Sequence, residues 1–167
     1  MNKTYVIYGS STGICEDIAS RISKKLGLSD NDVINVAQLN AGQVNEAVNL
    51  ILGTSTWGAG DFQDDWYDGL KILQACNLKG KTVALFGCGD SESYGDTFCG
   101  GMSELYKGLQ NSGIRFIGAV PVDGYHYDDS ESVIDDKFVG LALDEVNESD
   151  KTDERIDDWI KLIKPDL

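Results

Sequence analysis

The side chains in this sequence that could do chemistry gather in three glycine-rich loops, each following an apolar run. The first loop, Gly9-Ser10-Ser11-Thr12-Gly13-Ile14-Cys15, follows Thr4–Tyr8 and leads into isoleucines spaced every four residues. Ser10, Ser11 and Thr12 supply hydroxyls, and successive backbone N–H groups end at a helix start. These donors and the helix dipole suit a phosphate without any cationic side chain. The G-K-[ST] ending of a Walker A loop is missing. The plain alternative is a hydroxyl-rich turn that caps a helix. Cys15 and Arg21 also show the C-x5-R spacing of cysteine phosphatases. Six residues of helix turn ~600° and rise ~9 Å, so that thiol and guanidinium would not converge.

The second loop, Thr54–Trp66 (TSTWGAGDFQDDW), places Trp57 beside Gly58 and Gly60. An indole flanked by glycines suits a flat ligand stacked on its face, with backbone approaching closely. A tryptophan folded over the sheet edge is the alternative. The third loop, Gly87–Phe98 (GCGDSESYGDTF), presents Tyr94 in another glycine-flanked acidic setting. Two aromatics from separate loops beside a phosphate cradle describe a planar ring held in a sandwich.

These loops need a scaffold that brings them together. Thr4–Tyr8, Val33–Val36, Asn49–Thr54, Thr82–Gly87 and Arg115–Val122 read as strands, several apolar throughout and so buried on both faces of a parallel sheet. Helical patterns alternate with them. Ile14, Ile18, Ile22 and Leu26 form one stripe; Phe98, Met102, Leu105, Tyr106 and Leu109 form another before Gly113. Ile156, Trp159, Ile160 and Ile163 form a third, with Thr152 as its expected cap. Alternation of this kind predicts a single-domain, doubly wound α/β fold over residues 1–167. In such sheets ligands bind beyond the carboxyl ends of the strands, where the strand order reverses. Pro121–Lys137 breaks the rhythm and reads as an insertion in or beside the last strand, ahead of the apolar run Phe138–Leu143.

Composition narrows the partners. With 28 acidic and 14 basic residues the net charge is −14, which repels nucleic acid and anionic membranes and favours a partner with a basic face. No apolar run approaches the ~20 residues of a membrane span, and no signal-peptide pattern precedes the first strand. A cytoplasmic protein is expected. The four cysteines Cys15, Cys76, Cys88 and Cys99 contain no C-x-x-C pair, and His126 is the sole histidine, so free thiols and no metal site are expected.

At this point the sequence resembles the long-chain flavodoxins, over essentially all of its length. The resemblance rests on GSSTG…EDIA, TSTWGAGDFQDDW, GCGDSESYGDTF and the closing KFVGLALDEVNESDKTDERIDDW, with the insertion at 121–137 in the position of the long-chain loop. Flavodoxins are themselves the type case of the five-stranded parallel sheet of order 2-1-3-4-5 with flavin at the β1/β3 switch point. The resemblance implies non-covalent FMN and a low-potential, one-electron carrier, a monomer acting between redox proteins, not an enzyme. Ser10, Ser11, Thr12, Gly13, Ile14 and Cys15 would then hold the phosphate, and Trp57 and Tyr94 the two faces of the ring. Ser55, Thr56, Gly58, Ala59, Gly60, Cys88, Gly89, Asp90, Thr97, Phe98 and Cys99 would complete the surroundings.

Two positions depart from the family pattern. Ile14 and Cys15 follow Gly13 where T-G-[polar]-T is usual, so Cys15 is expected to stand in for a hydroxyl as a weaker donor. Gly58 follows the tryptophan where many members carry a side chain, and it would ease turning of the adjoining peptide. Asp61, Asp64, Asp65, Asp90, Glu92 and Asp96 would disfavour added negative charge on the ring. Two other classes compete. A receiver-like module needs an aspartate where Thr54 or Gly87 stands, and an FMN quinone reductase needs the ring face that Tyr94 would cover.

Overall fold

The computed structural model describes residues 1–167. Its chain runs through β1 (Thr4–Gly9), α1 (Ile14–Leu26), β2 (Val33–Asn35), α2 (Ala41–Glu46) and β3 (Asn49–Trp57). It continues through β4 (Asp61–Phe62), α3 (Trp66–Gln74), β5 (Thr82–Cys88) and α4 (Gly101–Leu109). Then come β6 (Arg115–Ile117), β7 (Val120–Pro121), β8 (Val133–Ile134), β9 (Lys137–Phe138), β10 (Leu141–Leu143) and α5 (Ser149–Ile163).

The main sheet has the order β10-β5-β3-β1-β2, all parallel. This is the expected 2-1-3-4-5 order. The runs Thr4–Tyr8, Asn49–Thr54 and Thr82–Gly87 are buried end to end, every residue of β1 and β5 included, whereas Val33–Val36 and Arg115–Val122 are only partly buried. Alternate side chains serve opposite faces. Ile7, Leu50, Leu52, Val83 and Leu85 pack in one core cluster with Trp66, Leu73, Met102 and Leu105 of α3 and α4. Val6, Ile51, Ala84 and Phe86 pack in the other with Ile18 and Ile22 of α1 and Ile156 and Trp159 of α5.

The fifth strand position is shared. β6 pairs with Thr82–Ala84 of β5, and β10 pairs with Phe86–Cys88 of the same strand. The insertion lies between these halves and carries the antiparallel sheet β7-β9-β8. Arg115–Val122 is therefore not one continuous strand. It breaks at Gly118, whose φ of 84° leaves the extended region and whose carbonyl accepts from Trp159 Nε1 at 2.8 Å.

Tyr125 and Tyr127 anchor the insertion on Phe98 and Phe138, with ring centroids 4.9–6.3 Å apart. The Tyr125 hydroxyl donates to Ala142 O at 2.7 Å, and the Arg155 guanidinium lies 4.0 Å over its ring. Burial pushes the Tyr125 phenol up to about 12.

Thr152 does not cap the last helix. That helix begins at Ser149, and Thr152 is fully buried with its hydroxyl paired to the Glu145 carboxylate. The first-turn position buries a short polar side chain that can satisfy itself without serving the helix end.

Gly140, just before β10, has no room for a side chain. A Cβ there would lie 2.1 Å from the backbone carbonyl oxygen of Leu85, an atom that cannot swing aside. Gly140→Ala is expected to cost about 2–4 kcal/mol, read as a lower urea midpoint with an unchanged slope.

Candidate functional site

Parallel pairing places the strand ends at one edge. Gly9 is opposite Thr54, Thr54 opposite Gly87, Ser55 opposite Cys88, and Leu143 opposite Cys88. Beyond that edge lies a cavity of about 360 Å³. Its wall includes Thr12 and Ile14 of the first loop, Ser55, Thr56, Trp57 and Gly58 of the second, and Cys88, Gly89, Asp90, Tyr94 and Thr97 of the third. The three loops chosen from the sequence converge.

Trp57 is 43% exposed and Tyr94 62%, both on this cavity. The indole does not fold over the sheet edge. Its Nε1 donates to Ser55 Oγ at 2.8 Å, which sets the ring's orientation. β4 turns back to pair with the end of β3, so Trp57 sits in a short antiparallel hairpin. Gly58 and Gly60 take φ of 53° and 98° in that turn. A Cβ on Gly58 would meet Asp61 Oδ2 at 3.0 Å.

In the first loop, Gly13 takes φ of 90° before α1 and its N–H donates to Ser10 Oγ at 3.1 Å. The N–H groups of Ser11 and Thr12 find no acceptor within the protein. Those of Ile14 and Cys15, in the first turn of α1, have none within the helix. This cradle of unused donors fits a phosphate group. Ser10, Ser11 and Gly13 stand on the loop outside the cavity wall itself, as Ala59 and Gly60 do in the second loop.

Three expected ligand residues turn their side chains away. Cys15 is completely buried, with its thiol beside Cys88; that neighbour and burial together push it well above the usual thiol range. It fills the core under the loop and supplies no hydroxyl-like donor, because position 15 falls on the inner face of α1 with Ile18 and Ile22. Phe98 is buried against the insertion. Cys99 is buried with Sγ 3.6 Å from the carbonyl oxygens of Gly87 and Leu143, and burial pushes its thiol well up. All four cysteines are free thiols.

Glu145 and Val146 also line the cavity, and sequence reasoning missed them. They follow β10 at the same carboxyl edge, but the run Phe138–Leu143 could be placed in the sheet only once its pairing to β5 was known. A polar network ties this fourth loop to the third. Asp144 is fully buried and accepts from Ser91 N–H at 3.2 Å and Asn147 N–H at 3.0 Å. Asn147 Nδ2 donates onward to Asp90 Oδ1 at 2.8 Å. Hydrogen bonds from the Ser93 backbone and from Asn147 hold the Asp90 carboxyl below its ordinary value, so a carboxylate is fixed on the cavity wall.

These features match a known family. The sequence profile described as Flavodoxin matches residues 6–159. The chain belongs to the flavodoxin family. It is 40% identical to a flavodoxin of Helicobacter pylori over 164 residues, covering 98% of each chain. It is 38% identical to flavodoxin 1 of Azotobacter vinelandii over 171 residues, covering 100% of this chain and 98% of that one. The crystal structure of Fusobacterium nucleatum flavodoxin bound to flavin mononucleotide superposes with a TM-score of 0.90 at 34% identity, covering 100% of this chain and 99% of that one. The parallel sheet order of this flavodoxin is that of its relatives' fold.

Glu104, on α4, is raised above its ordinary 4.5, first by burial and then by the Asp61 carboxyl. Its folded form therefore holds its proton more tightly than the unfolded chain does. Its contribution to stability is present below about pH 4.5 and is lost as pH rises through the raised value. Glu104→Gln is expected to match the parent protein in urea midpoint at pH 4 and exceed it at pH 7.

Proposed function

We propose that residues 1–167 form one FMN-binding domain, with the phosphate on the Ser10–Cys15 loop and the ring between Trp57 and Tyr94. The observation that carries this reading is the meeting of two exposed aromatics and an unpaired N–H cradle on one cavity. Ser55, Thr56, Gly58, Gly89, Asp90 and Thr97 complete the wall, and Ala59 and Gly60 shape the turn. The protein is an electron carrier. FMN, when bound, supplies the one-electron chemistry; the chain supplies binding, orientation and field.

The indole, steadied by Ser55, and the phenol of Tyr94 exclude water from the faces of a planar ligand. The cradle neutralises a phosphate with dipoles and hydroxyls alone, which suits a group that is held and never transferred. Asp90, kept ionised, lies on the cavity wall, and Asp61, Glu92 and Asp96 add negative charge to the loops that carry Trp57 and Tyr94. Each such charge disfavours added electron density by about 0.5–1 kcal/mol before screening, and so lowers the potential. The same charges suit a redox partner with a basic docking face. A monomer in the cytoplasm fits this reading.

Titrating the apoprotein with FMN is expected to give one site per chain, with quenching of flavin fluorescence. Trp57→Ala and Tyr94→Ala should each weaken binding while keeping that stoichiometry, by about 1–3 kcal/mol for a lost stacking partner. Absence of flavin binding by the wild-type chain overturns the assignment. Electron-transfer rates with a basic partner should fall as ionic strength rises; rates independent of salt overturn the docking charge.

A further inference from the structure

We infer that Gln63 is a positioning residue for phosphate recognition, holding the Ser11 hydroxyl with its proton directed out to a ligand; this rests on the FMN reading above. Gln63 follows β4 and is 4% exposed. Its backbone N–H donates to Thr54 Oγ1 at 2.9 Å, which fixes it to the end of β3. Its Oε1 accepts from the Asp65 N–H at 3.0 Å, and its Nε2 donates to Asp65 Oδ2 at 3.0 Å and to Ser11 Oγ at 3.2 Å.

These contacts leave one orientation for the amide. Rotating it by 180° would set NH2 against the Asp65 N–H and oxygen against the Asp65 carboxylate, losing both bonds. Both Nε2 protons are thus committed, one to Asp65 and one to Ser11. A serine hydroxyl has a single proton and accepts through its lone pairs. With Gln63 donating to it, Ser11 Oγ must accept on that side, and its own proton is free on the exposed side of the loop. A phosphate oxygen accepts only, so the hydroxyl is set in the sense a phosphate requires. Ser10 Oγ is treated alike by the Gly13 N–H at 3.1 Å. Gly9 keeps the space open: a Cβ there would lie 2.7 Å from Gln63 Oε1.

Riboflavin shares the ring and ribityl chain of FMN but lacks the phosphate, so the ratio of the two dissociation constants isolates phosphate recognition. It is measured for the wild-type apoprotein, Ser11→Ala, Gln63→Met, Gln63→Glu and the double variant Ser11→Ala/Gln63→Glu. A carboxylate in place of the Gln63 amide accepts the Ser11 proton and turns the donor inward. Preference for FMN should fall about tenfold or more in Ser11→Ala and in Gln63→Glu, the value of a hydrogen bond to a charged group. Gln63→Met, which frees the hydroxyl to rotate, should lose less. The double variant should lose no more than either single one. Equal losses of FMN and riboflavin affinity mean a structural role only and overturn the inference. An undiminished preference in Ser11→Ala, whose exposed site carries no folding risk, also overturns it. Losses that add in the double variant point to simple charge repulsion from the introduced carboxylate and do the same. A wild-type chain that binds neither flavin fails the FMN reading itself. One that binds both equally keeps a flavin site and refutes phosphate recognition by the loop.

Discussion

Parallel hydrogen bonding between β1, β3, β5 and β10 is the constraint on which the site depends. It sends every strand in the same direction, so the loops after Gly9, Trp57, Cys88 and Leu143 all leave from one edge. Nothing local in any loop would bring Thr12, Trp57 and Tyr94 to one cavity. The register does so, and it is secured by cores on both faces of the sheet. Close approach is part of the same constraint. A Cβ on Gly53 would fall 1.9 Å from the Phe86 ring, and one on Gly140 would strike Leu85.

Polar contacts then join the loops to each other. Gln63 links the aromatic hairpin to the first loop through Ser11. Asp144 and Asn147 link the segment after β10 to the loop that carries Tyr94. Each link has a buried anchor, Gln63 in one and Asp144 in the other, where an unmade hydrogen bond costs more than an exposed one. The cavity wall is therefore braced on both sides, while Trp57 and Tyr94 themselves remain open to solvent. Cys15, which looked chemical, belongs to the packing beneath. With its proton held tightly by burial and by Cys88, it is an inert filler at the foot of α1.

The insertion interrupts the fifth strand without interrupting the sheet. β6 covers the first half of β5 and β10 the second, so that side of β5 is paired at Thr82–Ala84 and again at Phe86–Cys88. The excursion between them is fastened by aromatic packing of Tyr125 and Tyr127 on Phe98 and Phe138. Phe98 follows the Tyr94 loop directly, so bracing the last strand also steadies the cavity wall.

The sequence by itself determined the class of fold and the three loops that meet at one cavity. Continuous apolar runs specify a two-faced parallel sheet, and glycines beside hydroxyls or aromatics mark the loops, because those signals are local. It also determined that residues 121–137 are an insertion, since a polar, acidic run cannot be a buried strand. Tertiary structure decided what depends on which face a residue turns. Cys15, Phe98 and Cys99 lie within the right motifs yet face the core, a choice set by helix phase and by the packing of the insertion. Glu145 and Val146 joined the cavity only because β10, three residues long, pairs beside Cys88. Gln63 acquired its role from a partner 52 positions away, a contact that exists only when the β3–β4 hairpin folds beside the first loop.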